Sequence, residues 1–442
     1  MVLLVNISFF SAPAFPEDPV RLPELSYKRL LSGLQVTVAA TPNLGESMTI
    51  GLSVPHGSAF DPAEKSGLAN LVTRMFVRAT IDKTLADIQE ELSYLGATIE
   101  ARCDWDSIRF LLRGQSSKFE RSLLLFYQVA GEAQFNEADF ASVKQQILQQ
   151  LQKPADPRQQ IHAEFGNVLF SGTTYGRPLE GTPAALKNMT LGDIRYFYRR
   201  YFSPSDASLV IVGNVPAHLV LQKATRIWGV WVRKDEVPFS FVPPRKPKGR
   251  NIFLKDDPNS PAAQFILGNI WPRREDPAYY AAVLAARILQ ERLTKLLPTS
   301  LLTVGSEGRR MTGPFFIQGQ AAADQAVGEI QKIQDTAEEM KVSPVAREEL
   351  TAAQNRWIEE FNKDLGTTGG TCSVLLDSEL YRLGTNYLAA FPNLVRRFDA
   401  SAIKQAAADW IFPGGIDILV SGPASSLKPV LEPLGSFRQV AP

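Results

Sequence analysis

The run Ser208-Leu209-Val210-Ile211-Val212-Gly213-Asn214-Val215 is β-branched and closed by glycine, and a helix-like stretch, His218 to Ile227, follows it before Trp228-Gly229. About 210 residues later the order repeats as Ile416-Asp417-Ile418-Leu419-Val420-Ser421-Gly422-Pro423, a helix, and Leu434-Gly435. An echo at that distance limits the chain to two similar units in tandem. Length agrees, because 442 residues exceed what one ordinary hydrophobic core holds.

Other segments fit the same plan. Gly33 to Val38 and Met48 to Val54 alternate apolar with small or polar residues and read as a hairpin-like pair of strands. From Gly67 to Arg78 the spacing turns helical, with Leu68, Leu71, Val72, Met75 and Phe76 on one face. Further helices are expected over 84–95, 118–132 and 137–153, with strands over 98–103 and 108–113. Residues 233–250 hold four prolines among several Lys and Arg and read as an extended, solvated linker. Strand and helix order restarts at Asn251-Ile252-Phe253-Leu254. The expected organisation is an N-terminal tail over 1–22, an α+β domain over 23–232, the linker, and a homologous α+β domain over 251–442, each an antiparallel-rich sheet packed with helices.

Composition removes several function classes. Lys plus Arg (47) and Asp plus Glu (46) nearly cancel, so no net field favours nucleic acid or an anionic membrane. Cys103 and Cys372, far apart, suit neither a disulfide framework nor a cysteine-based zinc cluster and read as buried small side chains. The apolar stretch Met1 to Ala14 ends in Ala12-Pro13-Ala14, a small-x-small pattern that points to a short signal peptide and a periplasmic or secreted protein, with a cytoplasmic one as the alternative. No later stretch has the ~18 to 20 apolar residues that a membrane-spanning helix needs.

Several short segments, taken in order, resemble the pitrilysin/insulinase family of zinc metallopeptidases, in its two-domain, processing-peptidase-like branch. They are Leu31-Ser32-Gly33-Leu34, Gly57-Ser58, Gly67-Leu68-Ala69, Leu95-Gly96-Ala97, Tyr175-Gly176-Arg177-Pro178 with Gly181-Thr182, Phe197 to Phe202 with Pro204, and Val212-Gly213-Asn214. The resemblance covers nearly the whole chain. It implies a His-x-x-Glu-His motif on the helix after Gly-Leu-Ala, because two imidazoles four residues apart share a helix face and can close on one ion while the Glu activates water. Here those positions hold Asn70, Thr73 and Arg74, and the implied third ligand, a Glu, is Gln150. An amide is a poor zinc ligand, and Arg74 sets a permanent cation where the metal would sit. The resemblance also implies an Arg and a Tyr from the second domain that clamp substrate. Arg292-Leu293 matches the start of that stretch, but no Tyr occurs between Tyr280 and Tyr381.

The remaining candidates read as structure. His56, His162 and His218 are the only histidines, none spaced to share a metal, and no Gly-x-Ser-x-Gly elbow is present. Arg273-Arg274, Arg309-Arg310 and Arg396-Arg397 read as solvated pairs, Trp228 and Trp231 as packing at a domain edge, and Gly366-Thr367-Thr368-Gly369-Gly370 as an inter-helix turn. Asn70, Thr73, Arg74 and Gln150 read either as the polar face of a helix turned to solvent or a cleft, or as a cleft in which Arg74 meets an acidic group. What the resemblance implies is a non-catalytic subunit of a heteromeric zinc peptidase, with no cofactor of its own, whose zinc-bearing homologous partner completes a peptide chamber. Two alternatives stay open: a stand-alone structural or binding module, and an active zinc endopeptidase using unrecognised residues.

Overall fold

The stretch Ser208–Gly213 is buried along its whole length, so it needs a neighbouring strand on each side and cover on both faces. The computed structural model, which describes residues 22–153, 156–232, 237–239 and 241–440, supplies all of these. The segment read as a signal peptide lies outside the described residues.

The first sheet is built from β1 (Glu24–Arg29), β2 (Gln35–Ala40), β3 (Ser47–Val54), β4 (Thr98–Cys103), β5 (Ile108–Gln115) and β6 (Ser208–Gly213). Their spatial order is β1-β2-β6-β3-β5-β4, with β6 parallel to β2 and antiparallel to β3. This corrects the hairpin expected from the opening strands. Strands β2 and β3 do not pair, because β6, apolar on both faces, takes the central place between them. The hairpin that does form is β1 with β2, and its turn relies on Gly33, whose φ is +95° and where a Cβ would lie 2.9 Å from the Ser205 backbone.

The second sheet comprises β7 (Gly249–Asp256), β8 (Ala263–Ile270), β9 (Thr303–Ser306), β10 (Pro314–Ala321), β11 (Gly415–Gly422) and β12 (Ser436–Val440). Its order is β12-β7-β11-β8-β10-β9. Five strands match the first sheet one for one in order and direction, β7 with β2, β11 with β6, β8 with β3, β10 with β5 and β9 with β4. Only the outermost strand differs: β1 enters before β2, antiparallel to it, whereas β12 arrives last and runs parallel to β7.

Helices repeat the plan. In the first half α1 (Leu68–Met75) and α2 (Leu85–Leu95) precede β4. Among the described residues α3 (Phe119–Gly131), α4 (Glu137–Gln152), α5 (Pro157–Leu169), α6 (Pro183–Lys187) and α7 (Leu191–Tyr201) join β5 to β6, and α8 (Ala217–Trp228) follows. The second half has α9 (Ala278–Leu296) before β9. There α10 (Ala326–Val342), α11 (Arg347–Leu365), α12 (Thr368–Leu380), α13 (Tyr387–Arg396) and α14 (Ala400–Trp410) lead to β11, and α15 (Ala424–Leu431) follows it. Local chemistry sets many of these starts. Thr84 and Thr190 form capping boxes with Asp87 and Asp193, and Asn136, Asp156, Thr367 and Asp399 each accept a first-turn N–H.

The middle helix of each set of five crosses to the other half. Helix α5 lies on β8, β10 and β11 of the second sheet, and α12 lies on β3 and β6 of the first. The two cores therefore interleave: Leu209 and Ile211 of β6 face one, while Val210 and Val212 share the other with Cys372, Leu375 and Leu376 of α12. In the second sheet Ile266, Ile270 and Leu419 join the core that holds Phe165 of α5. Two glycines admit these helices. A Cβ on Gly51 of β3 would lie 2.5 Å from Cys372 Sγ, and one on Gly268 of β8 would lie 2.8 Å from the Phe165 ring. Polar contacts fix the docking: the Thr368 hydroxyl is 3.0 Å from those of Ser47 and Thr49, Arg109 and Asp377 pair at 2.7 Å, and Gln318 Nε2 donates to the Arg158 carbonyl at 2.8 Å.

The Gly366 to Gly370 stretch does turn the chain between α11 and α12. Gly370 is required there, since a Cβ would stand 2.2 Å from the Asp364 carbonyl oxygen. Trp228 and Trp231 are buried against one another, and Phe239 and Phe241, within the proline-rich span, pack edge-to-face against Phe60.

The exchange predicts that Gly51→Val, which forces two methyl groups toward Cys372 and Leu376, destabilises the chain by about 1–3 kcal/mol. Adding Cys372→Ala to that variant should recover part of the loss. Urea unfolding midpoints of the single and double variants measure both effects.

Candidate functional site

Helix α1 is placed by its N-terminus. Gly67 precedes it at φ +90°, and the carboxylate of Asp61 accepts from the Gly67 and Ala69 amides at 2.8 Å each. Burial pushes the Asp61 carboxyl up to about 7, against these two bonds, which favour its charged form. Gly67 abuts Gly181 so closely that a Cβ on Gly67 would lie 2.7 Å from Gly181 Cα. That contact binds the Gly-Leu-Ala step to the distant Gly181-Thr182 pair, two of the segments on which the resemblance rests.

Leu68, Leu71, Val72 and Met75 sink into the core, which aims the other face at α4. Arg74 Nη1 donates to Gln150 Oε1 at 2.9 Å, and one turn on Arg78 donates to Gln146 at 3.1 Å. Asn70 keeps its Nδ2 buried with no partner. Thr73 departs from a solvent- or cleft-facing reading: it is 1% exposed, and its hydroxyl returns to the Ala69 carbonyl at 2.7 Å. A short β-branched side chain can fold back on its own helix, so Thr73 needs no outside partner. The structure thus brings Arg74 and Gln150 into contact and leaves Asn70 and Thr73 on the same helix, one orphaned and one self-satisfied.

These residues do not fit a zinc ion. The site offers two amides, a hydroxyl and a guanidinium where imidazole, carboxylate or thiolate is required, and the guanidinium sets its own positive charge between α1 and α4. No group of three His, Cys, Asp or Glu side chains is gathered among the described residues.

Arg292 lies elsewhere. It sits on α9, and its Nε and Nη2 donate to the two carboxylate oxygens of Glu349 on α11 at 3.0 and 2.8 Å. The segment that would carry the clamp forms β9, where the Val304 amide donates to Gln290 Oε1.

A buried polar cluster lies on the seam between the halves. The loop after β9 carries Glu307, Arg309 and Arg310 into the first domain, so the reading of Arg309-Arg310 as a solvated pair is wrong. Arg309 is 7% exposed, stacked 3.9 Å above the Trp105 ring centroid and tied to Glu307. Glu307 also meets His162 of α5 at 3.5 Å, and the hydrogen bond from His162 with the charge of Arg309 holds its carboxyl at about 2 against the cost of burial. The Arg310 amide donates to Asp106 at 2.9 Å, its guanidinium donates to the Pro55 carbonyl at 3.0 Å, and its side chain lies 3.8 Å over Phe239. Tyr175 donates to Asp106, while the Met311 amide donates to Tyr175 at 3.3 Å. Tyr175 belonged to a quoted segment, but nothing local marked Asp106 or Arg309 as its partners. Beside this cluster His56 is buried against Phe60, and burial, with Arg310 next, lowers its ring to about 4.

Residues 37–183 match the family described as Insulinase (Peptidase family M16), and residues 188–356 match the Peptidase M16 inactive domain. The Asn70–Gln150 cluster lies in the first match, so the word inactive in the second does not describe it. Zinc protease PqqE of Helicobacter pylori is 21% identical over 310 residues, 69% of this chain and 69% of that protein. The mitochondrial-processing peptidase subunit beta of Rattus norvegicus is 23% identical over 251 residues, 56% of this chain and 50% of that one. Among solved structures, a protease from Helicobacter pylori superimposes with a TM-score of 0.83 at 17% identity, over 91% of this chain and 100% of its own. The periplasmic protease PqqL from Escherichia coli gives 0.75 at 15% identity, over 95% of this chain and 48% of its own. No described helix is long and apolar enough to cross a membrane.

His56 generates a pH prediction. A histidine whose folded value lies below its unfolded one stabilises the fold as the neutral ring, fully above about pH 6.5, and that contribution is lost as pH falls toward about 4. The stability difference between the wild type and His56→Gln should therefore shift against the wild type by about 3 kcal/mol across that window. Denaturant unfolding at pH 7 and pH 4 measures it.

Proposed function

Since the chain belongs to the insulinase family, peptidase family M16, we propose that it is a non-catalytic member, and that it works as the inactive subunit of a heteromeric zinc peptidase. The observation that carries this reading is the Arg74–Gln150 hydrogen bond between α1 and α4. The family's chemistry needs a divalent cation and a carboxylate base at that place. A guanidinium bound to an amide supplies neither, and its charge repels the metal. The scaffold around it is kept whole, from the Asp61 cap to the Gly67–Gly181 contact. On this reading what has been retained is a surface and a cleft.

A partner of the same build, carrying zinc, would complete a chamber around peptide. Supporting this, the fold of this chain takes up only 48% of the PqqL chain, which leaves room for a second unit of similar size in that polypeptide. The match to the mitochondrial relative covers 50% of that protein and does not bear on a second unit. Arg292 is held by Glu349 through its Nε and Nη2, so on this reading peptide contacts would fall to the partner and to the seam. Export to the periplasm or beyond, read from Ala12-Pro13-Ala14, belongs to the same proposal.

Two measurements test this. Metal analysis of the isolated chain by plasma mass spectrometry should find zinc far below one ion per chain, and stoichiometric zinc with chelator-sensitive peptide cleavage would overturn the non-catalytic reading. Affinity isolation from the native source should recover a second chain with an intact His-x-x-Glu-His motif. Recovery of the monomer alone would overturn the subunit role.

A further inference from the structure

At the C-terminal end of α12 the seam opens into a cavity of about 530 Å³. His56 and Asp206 of the first half line it, as do Arg273, Glu275, Arg310 and Arg382 of the second, with Phe239 between them. That volume lies within the range of about 300–1,000 Å³ common for small-molecule pockets. None of Asn70, Thr73, Arg74 and Gln150 lines it. Arg310 is held so that one edge of its guanidinium stays open. Its Cζ lies 3.8 Å from the centroid of the Phe239 ring, and Nη1 donates to the Pro55 carbonyl at 3.0 Å. Among the described residues Nε and Nη2 bond to nothing, and neither is sealed from solvent as Arg309 Nη1 is. Arg382 is exposed, and its side chain makes no hydrogen bond or ion pair among the described residues. Its backbone stands at φ +53°, which costs a residue other than glycine free energy. Burial, with Arg382 adding to it, lowers Arg310 below the ordinary guanidinium value, against Asp106 and Asp206.

Charge and shape select the ligand. Three lining arginines against Asp206 and Glu275 leave one positive charge, because the His56 ring, lowered to about 4, and the Tyr381 hydroxyl, raised by burial, are both neutral at pH 7. Arg273 and Glu275 already pair at 2.9 Å. Behind the wall Asp106, engaged by the Arg310 amide and Tyr175, adds one negative charge, and Arg200, whose charge reaches His56, adds one positive. A monocarboxylate matches both the net charge of the lining and the two parallel N–H groups on the open edge of Arg310. A phosphate dianion brings more charge than the lining balances. Pro55, Pro238 and Phe239 offer an apolar wall to the rest of the molecule. We propose that this cavity binds a small organic monocarboxylate with an aromatic or branched aliphatic body, its oxygens accepting from Arg310 Nε and Nη2 and its charge shared with Arg382. The proposal does not rest on the non-catalytic reading, and its test needs neither a partner chain nor a metal.

Calorimetric titration of the full chain with 3-phenylpropionate should give saturable binding with a Kd of about 1 mM or tighter. 3-Phenylpropionamide, which has the same shape without the charge, and inorganic phosphate should each bind about tenfold more weakly. Arg310→Lys keeps the charge and removes the paired N–H groups, so it should weaken phenylpropionate about tenfold. That change also breaks the Pro55 contact, so a second variant is Arg382→Asn. It severs no contact among the described residues, and asparagine tolerates a φ of +53°, so the unfolding temperature should hold or rise. Phenylpropionate should bind it about threefold more weakly, the scale of one exposed ion pair. Asp206→Asn, which removes an exposed lining carboxylate, should tighten binding by about the same factor. Absence of saturable phenylpropionate binding to the wild type, equal binding of the amide or of phosphate, undiminished binding to Arg382→Asn, or weaker binding to Asp206→Asn would each overturn the proposal.

Discussion

The reciprocal crossing of α5 and α12 is the constraint on which the rest of the molecule depends. Each sheet buries one face under helices of its own half and the other under a helix lent by its counterpart. Strand β6 shows the consequence residue by residue, with Leu209 and Ile211 in one core and Val210 and Val212 in the other. An apolar strand face left in water would forfeit about 25 cal/mol for each Å² of apolar surface, so the halves are held together by the hydrophobic effect itself. Cys372 illustrates how completely this seals the junction, since burial pushes its thiol up to about 12.

Polar chemistry at the seam then sets the halves in register. Apolar faces slide, whereas charged groups buried in low dielectric demand particular partners. Asp106 meets Tyr175 and the Arg310 amide, Glu307 meets Arg309 and His162, and Arg109 meets Asp377. All but the Glu307–Arg309 pair join residues distant in sequence, and the links Asp106–Arg310, Glu307–His162 and Arg109–Asp377 join one half to the other. The Arg309 guanidinium serves twice, as partner of Glu307 and as a flat surface on which Trp105 stacks.

The inherited cleft is a contrasting case. On α1 and α4 the Asp61 cap and the two facing glycines fix the backbone, while Arg74 and Gln150 meet each other on the outward faces. Backbone placement depends on small residues and caps whose loss would disrupt packing. Outward polar side chains carry little folding energy, so they can change without disturbing the helix pair.

How much of this was legible in the chain can be said element by element. The echo between Ser208–Val215 and Ile416–Pro423 marked the duplication correctly, because a fully buried strand closed by glycine is a local pattern. The strands over 98–103 and 108–113 and the apolar face of α1 were equally local, whereas Asn70, Thr73, Arg74 and Gln150 were named through the resemblance to the insulinase family. The contact between Arg74 and Gln150 agrees with that naming, while the burial of Thr73 does not. Strand pairing was misread, since alternation along β2 and β3 fixes a face but not a neighbour. Arg309 and Arg310 were misread for a related reason: an arginine pair beside glycine looks solvated unless Trp105, Asp106 and Glu307 are known to surround it. By itself, then, the sequence determined the two-fold plan and the helix faces, each a short local pattern, while Asn70, Thr73, Arg74 and Gln150 came from the resemblance. The crossing helices, the seam cluster and the cavity at Arg310 were decided only by tertiary structure, because each depends on contacts between groups more than a hundred residues apart, for which no local period exists.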